Sequence, residues 1–272
     1  MEKRDKIKKE KHSARKTERY SVKRVVLIVI EIVLIGVMLF SGYNIFVWWK
    51  ENNQSKEILD KISSKVTIVD NVDNVDNIEE NKRPKYNIDF AGLKEENEDT
   101  VAWIKVENMN IEYPVVQTTN NDYYLTRSFD RTYNSAGWVF MDYRNKADGT
   151  DRNIVLYGHN RKDGSMFGDL KDIFKEEWYS NDDNLYITYI TEDEYCTYEI
   201  FSAYRIEVED YYITTGFKSD EEFDTFVNRL KKRSFRDFGV EVSGEDQILT
   251  LSTCSNADYR VAVHAKKIQV EE

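Results

Sequence analysis

The sequence predicts a mainly β fold, an eight-stranded barrel or sandwich with few helices, carried behind one N-terminal membrane helix. Three observations predict it. Eight short runs rich in Val, Ile, Tyr and Phe are separated by Asn, Asp and Gly clusters. They do not alternate with helical periodicity, which argues against a doubly wound parallel sheet. Ahead of them lies a single apolar stretch, Val25 to Val47, of 23 residues with one charge.

The first element is a basic tail. Residues 1–24 carry 11 Lys/Arg and 4 Asp/Glu, a net +7, so the −11 of the whole chain leaves −18 on the remainder. A body this acidic argues against nucleic acid as its partner. The apolar stretch follows. At a rise of about 1.5 Å per residue it reaches roughly 35 Å, enough for a bilayer core. Lys23 and Arg24 flank one end, and Trp48 and Trp49 anchor the other. The positive-inside rule puts the N-terminus in the cytoplasm and the chain after Lys50 outside the cell membrane. A cleaved signal peptide would need a small-residue cleavage site, whereas bulky "FVWWKENN" follows, so residues 25–49 read as an uncleaved anchor. Glu31, inside it, reads as a tolerated carboxyl group near the cytoplasmic edge.

Residues 50–85 read as a stalk. Three Val-Asp-Asn units, Val69 to Asn77, are too polar to bury anything, and a weakly specified helix precedes them around Gln54 to Ser63. The folded domain is drawn from 86 to 272. It opens with a short helix in "NIDFAGLKEEN", and its strands are expected at 101–106, 111–117, 137–142, 153–158, 185–191, 194–207, 247–253 and 260–270. One long helix interrupts them. Ser219 and Glu222 form a capping-box pattern, acidic residues fill the first turn and basic residues the last. Phe223, Phe226, Val227 and Leu230 share one face, so this helix packs on the sheet. A second short helix is expected over Met166 to Phe174.

Chemistry centres on "ILTLSTCSNADYRVAVHAKKI", Ile248 to Ile268. Strand alternation puts Leu249, Leu251 and Thr253 on the core face and Thr250, Ser252 and Cys254 on the opposite, outward face. The next strand puts Arg260, Ala262 and His264 opposite Val261, Val263 and Ala265. Only Ser255 to Tyr259 join the two strands, so they pair antiparallel and Cys254 meets Arg260 at one end of one surface. A guanidinium beside a thiol lowers its pKa and stabilises an oxyanion formed there. A cysteine nucleophile also needs an acid–base partner. His12 lies in the tail. His264 is about 13 Å along the strand from Arg260, at roughly 3.3 Å per residue. His159, in the glycine-bearing turn "YGHN", is left by elimination. A packed thiol and a disulfide between Cys254 and Cys196 stay open beside the nucleophile, although Cys196 lies on a face with Tyr198 and Ile200, as a buried structural thiol would. The sequence has no Cys-x-x-Cys, His-Glu-x-x-His, calcium-loop or phosphate-loop pattern, so neither a metal nor another cofactor is expected.

"TLSTC", "YRVAVHAKKI" and the upstream "YGHN", with the N-terminal anchor, resemble a sortase, and the resemblance covers roughly Tyr86 to Val270. The long helix at 219–233, "VVQTTNNDYYLTRSFD" and "GWVFMDYRN" resemble class B sortases. The resemblance implies an eight-stranded sortase-type barrel and a cysteine transpeptidase of secreted proteins bearing a C-terminal sorting signal. It implies Cys254 as nucleophile on a threonine carbonyl in an Asn-Pro-Gln-Thr-Asn-like motif, His159 as general acid and base, and Arg260 as oxyanion and peptide binder. The acceptor would be an amine of peptidoglycan or its lipid-linked precursor. Asn121 and Leu125 match the region lining the sorting-motif groove, Tyr212 and Ile213 the loop that covers it, and Ser252 and Tyr157 lie two residues before the cysteine and the histidine. A thiol hydrolase of the same fold and an idle tethered binding module are the alternatives. The Ser255 to Tyr259 connection is shorter than in some class B members, which bears on the preferred motif.

Overall fold

Alternation of β-branched and aromatic residues makes strands, and here it does so in the order the sequence suggests. The structure is a computed structural model that describes residues 2–69, 84–207, 209–254 and 259–271. Most of the Val-Asp-Asn run and Ser255 to Asp258 of the short connection therefore lie outside the described residues. Contacts divide the chain into two units, Met1–Asn53 and Gln54–Glu272.

In the first unit, helix α1 (Glu2–Ser63) begins and carries the apolar stretch, whose side chains from Val25 to Trp49 are largely exposed. It is the one described helix long and apolar enough to cross a membrane.

In the second unit, the end of α1 is followed by β1 (Val66–Val69), β2 (Lys85–Ile88) and α2 (Phe90–Glu96). Ile58, Leu59, Ile62 and Val66, within the segment read as a stalk, pack against the main core. The expected eight strands are β3 (Thr100–Val106), β4 (Ile111–Val116), β5 (Phe140–Met141), β6 (Asn153–His159), β7 (Tyr186–Ile190), β8 (Tyr195–Glu207), β9 (Ile248–Cys254) and β10 (Tyr259–Glu271). Between them fall the short helix α3 (Glu176–Tyr179) and the long helix α4 (Asp220–Arg233). The short helix expected at Met166–Phe174 is a 3-10 segment, Gly168–Phe174.

The eight strands close a barrel in the order β10-β8-β7-β3-β4-β5-β6-β9. Closure leaves no unpaired sheet edge. The barrel is not wholly antiparallel: β4 pairs with β5 and β6 with β9 in parallel. Parallel neighbours need a long crossover, and the chain from Asn160 to Gln247 supplies it for β6 and β9. The Leu249, Leu251, Val261, Val263 and Ala265 face points into the barrel core as the alternation requires.

The opposite face corrects one expectation. Thr250, Ser252, Ala262 and His264 lie outside the barrel yet are fully buried. A second core covers them, formed by Phe223, Phe226, Val227 and Leu230 of α4 with Tyr204 and Tyr212. The helix is held in register by its cap. Ser219 Oγ accepts from Glu222 N–H, and Glu222 reaches back to Lys218 N–H, one residue earlier than a usual capping box.

Candidate active site

The site is set by the end of one parallel ladder. In the β6–β9 pairing, Tyr157 stands opposite Ser252, Gly158 opposite Thr253, and His159 opposite Cys254. Neighbouring strands lie about 4.8 Å apart, so the backbones of His159 and Cys254 are adjacent although 95 positions separate them. On the other side of β9, β10 pairs Ala262 with Ser252. β9 runs two residues beyond that rung to Cys254, and β10 begins before it at Tyr259, so Arg260 and Cys254 lie at the same end of the two strands. Beyond the last backbone rung, Thr253 Oγ1 accepts from Val261 N–H at 2.9 Å, so a side chain continues the β9–β10 junction. Arg260 is half-buried, and its Nε is buried without a hydrogen-bond partner among the described residues. A guanidinium N–H left in that state is a donor suited to an acceptor that arrives with a ligand.

His159 is held from two sides. Its Nε2 lies 2.7 Å from the carbonyl oxygen of Leu125, in the 3-10 turn Tyr123–Leu125. A carbonyl only accepts, so Nε2 carries the proton, and the neutral ring has Nδ1 as its basic nitrogen. The His159 carbonyl accepts from Arg161 N–H and Phe167 N–H, which shapes the turn after β6. Two glycines make room. A Cβ on Gly158 would meet the Phe167 ring at 2.7 Å. Gly137 has φ +62°, and a Cβ there would stand 2.6 Å from the Tyr124 carbonyl oxygen, 2.9 Å from that of Leu125 and 2.9 Å from His159 Cδ2.

His264 is not part of this site. It is fully buried, with Nδ1 2.9 Å from Thr250 Oγ1 and Nε2 2.9 Å from the Tyr204 hydroxyl. Burial, with Arg233 nearby, pushes its pKa down to about 3, so it is a neutral structural imidazole. Cys196 is a free buried thiol, not a disulfide partner. Burial raises its pKa to about 11, which keeps it inert.

Three of the remaining expected residues, Asn121, Tyr157 and Ile213, meet two side chains that sequence reasoning missed, Asp142 and Arg144. Asp142 is fully buried. Its carboxylate accepts from Tyr157 Oη at 2.8 Å, Asn121 Nδ2 at 3.1 Å, and Arg144 Nε and Nη2 at 2.8 and 2.6 Å. Burial alone would raise its pKa, but the hydrogen bonds from Arg144 and Tyr157 and the charge of Arg144 hold it below the usual value. Arg144 Nη2 also donates to the Ile213 carbonyl at 2.9 Å. Tyr212, beside it in the 3-10 turn Tyr211–Ile213, shares a 2.9 Å hydrogen bond with Ser252 Oγ, and both side chains are buried. Asn121, Leu125 and Ile213 are half-buried. A signal existed in "FMDYRN": an acid and a base two apart, directly after an apolar strand, in a chain whose other acids sit mostly in polar turns.

Residues 104–268 match the Sortase domain family. The chain belongs to the sortase family. Within it, the chain is similar to the class B sortases. It is 32% identical to Sortase B of Staphylococcus aureus over 253 residues, covering 90% of this chain and 97% of the relative. To Sortase B of Listeria monocytogenes it is 33% identical over 243 residues, covering 87% and 94%. A crystal structure of sortase B from B. anthracis superposes with a TM-score of 0.68 at 33% identity, over 81% of this chain and all but 1% of that one. A Staphylococcus aureus sortase B–substrate complex superposes with a TM-score of 0.63 at 35% identity, over 67% and 85%. The chain is thus a sortase of the class B kind, a cysteine transpeptidase of cell-wall sorting.

Proposed function

We propose that this sortase is held in the cell membrane by Val25–Val47 with its N-terminus in the cytoplasm. Outside, it cleaves an Asn-Pro-Gln-Thr-Asn-like motif of secreted proteins after threonine and joins the threonine to a peptidoglycan amine. The observation that carries this reading is the β6–β9 register, which pairs His159 with Cys254. The relatives named Sortase B and the substrate-bound neighbour support the class of substrate.

The thiolate of Cys254 attacks the threonine carbonyl carbon, and the electron pair moves onto its oxygen. Arg260, with a buried and unpartnered Nε among the described residues, donates to that oxyanion. Collapse breaks the C–N bond as His159, protonated at both nitrogens, gives a proton to the departing amine. The product is a thioacyl enzyme. The acceptor amine then attacks the thioester, the now neutral His159 takes its proton, and the thiolate leaves. The Leu125 carbonyl keeps the Nε2 proton in place throughout, so Nδ1 is the nitrogen that exchanges.

The test is a library of sorting peptides incubated with the full chain in detergent, with and without an added amine. Cleavage after threonine, with a new amide when amine is present, is expected. Cys254→Ala and His159→Ala should each lose it. Cleavage by Cys254→Ala at the wild-type rate would refute the reading, and cleavage without amide formation would reduce it to hydrolysis.

A further inference from the structure

The groove residues expected from the sequence come from three separate walls. Asn121 and Leu125 belong to the turn after β4, Tyr157 to β6, and Ile213 to the turn after β8. Each wall is tied to the same ion pair, made by the buried Asp142 carboxylate and the partly exposed Arg144 guanidinium. Asn121 donates to the Asp142 carboxylate through Nδ2, and its Oδ1 accepts from Tyr143 N–H at 2.9 Å. Its neighbour Asn120 caps the N–H groups of Asp122 and Tyr123, so the turn that ends in the Leu125 carbonyl moves as a unit with Asn121. Tyr157 donates to Asp142 directly, and the third wall is reached through Arg144 Nη2 on the Ile213 carbonyl.

We propose that the Asp142–Arg144 pair is the positioning element of the peptide groove, fixing all three walls in one register before substrate binds. A fully buried carboxylate is an expensive way to gain stability, because an apolar replacement of similar volume usually does as well. What an ion pair adds is direction. Asp142 receives hydrogen bonds from Asn121, Tyr157, the backbone N–H of Arg144 and its guanidinium, each along a different line. The guanidinium in turn spends one nitrogen on both the carboxylate and the far wall. Lysine cannot reproduce that fork. Neither residue is a catalytic residue here: both act through Asn121, Tyr157 and the Ile213 carbonyl. The inference deepens the sorting-peptide reading and rests on it.

The test compares Asp142→Asn and Arg144→Lys with the wild type, as full chain in detergent. Its readouts are steady-state cleavage of the sorting peptide and amide hydrogen exchange. Loss of one charge-assisted hydrogen bond should raise KM about tenfold while kcat stays within about threefold. Exchange should speed up in both 120–125 and 211–214. Arg144→Lys keeps the charge opposite Asp142, so it carries the test if Asp142→Asn fails to fold. Ile187→Ala, a cavity in β7 on the side of the barrel opposite β6, serves as a control for general destabilisation and should move neither readout. A KM within about twofold of wild type in Arg144→Lys would overturn the proposal. So would faster exchange confined to one wall, or a KM rise of the same size in Ile187→Ala. A wild type that cleaves no sorting peptide would instead defeat the substrate reading, while the exchange comparison would still decide whether the pair fixes the walls.

Discussion

Replacing the wrong histidine should change how stability depends on pH and leave the chemistry in place. His264 sits under α4 with no solvent contact, and its bonding fixes its tautomer. Asn153 donates through Nδ2 to the Thr214 carbonyl, so its Oδ1 accepts the proton of Thr250 Oγ1 at 2.6 Å. Thr250 then has only a lone pair for His264, so Nδ1 is the protonated nitrogen and Nε2 accepts from the Tyr204 hydroxyl. A second proton would have to go on Nε2, against that donor, in a dry site that also faces the Arg233 charge. The folded-state pKa is therefore about 3, against about 6.5 for an unfolded chain. Below pH 6.5 the unfolded chain binds a proton that the folded one refuses, so stability falls as pH drops, by about 1.4 kcal/mol per pH unit until the folded pKa is reached. At pH 5 the loss is about 2 kcal/mol. His264→Gln keeps an acceptor for Tyr204 but does not titrate. Urea unfolding of both proteins from pH 7 to pH 4.5 should show the variant gaining about 2 kcal/mol on the wild type by pH 5. Parallel pH profiles would refute the tautomer and burial argument. Loss of peptide cleavage by the variant at neutral pH, with the fold intact, would refute His264 as a bystander.

Gly137→Ala should lower kcat by at least about tenfold with a stability cost of about 1–2 kcal/mol, because a Cβ at φ +62° meets the Leu125 carbonyl and the imidazole it holds; steady-state kinetics alongside thermal melting reads both. Leu230→Ala, in the fully buried face of α4, should cost about 3 kcal/mol in a urea titration. A loss under about 1 kcal/mol would show that the second core is loosely packed. Tyr212→Phe and Ser252→Ala should each destabilise, and their double mutant should reveal a coupling of about 1 kcal/mol from the shared hydrogen bond. Additive effects would mean that the two hydroxyls do not bond in solution.

Strand existence was legible because alternation in runs such as "VAWIKV" and "QILTLST" depends only on near neighbours. The cap and face of α4 were legible for the same reason. What alternation does not carry is partner choice. The face holding Thr250, Ser252 and His264 reads as outward, and it is outward of the barrel, but burying it took the apolar face of α4 as well. Both halves of that interface were visible in the sequence, and their meeting was not. The antiparallel neighbours β9 and β10 followed from a short loop, whereas the parallel pairing of β6 with β9 spans nearly a hundred residues and left no local mark. Asp142 and Arg144 were passed over because an acid and a base near a turn are more often solvated, and only the fold shows the carboxylate buried.

That parallel pairing matters to the proposed reaction. Two parallel neighbours end at the same rim of the barrel, so the last residues of β6 and β9 are brought together by the ladder itself, without a flexible loop to position either backbone. The antiparallel strand β10 then starts at that same rim and brings Arg260 to it. Three residues from three strands thus share a rigid closed sheet, while Asn121, Leu125 and Ile213 come from turns that have no ladder to hold them. Turns carry conformational freedom that would have to be removed on each binding event. The Asp142–Arg144 pair, with the Tyr212–Ser252 and Asn153–Thr214 hydrogen bonds, removes it beforehand. In this division of labour the barrel orders the chemistry and the Asp142–Arg144 pair links the turns of the groove, so damage to the first should appear in kcat and damage to the second in KM.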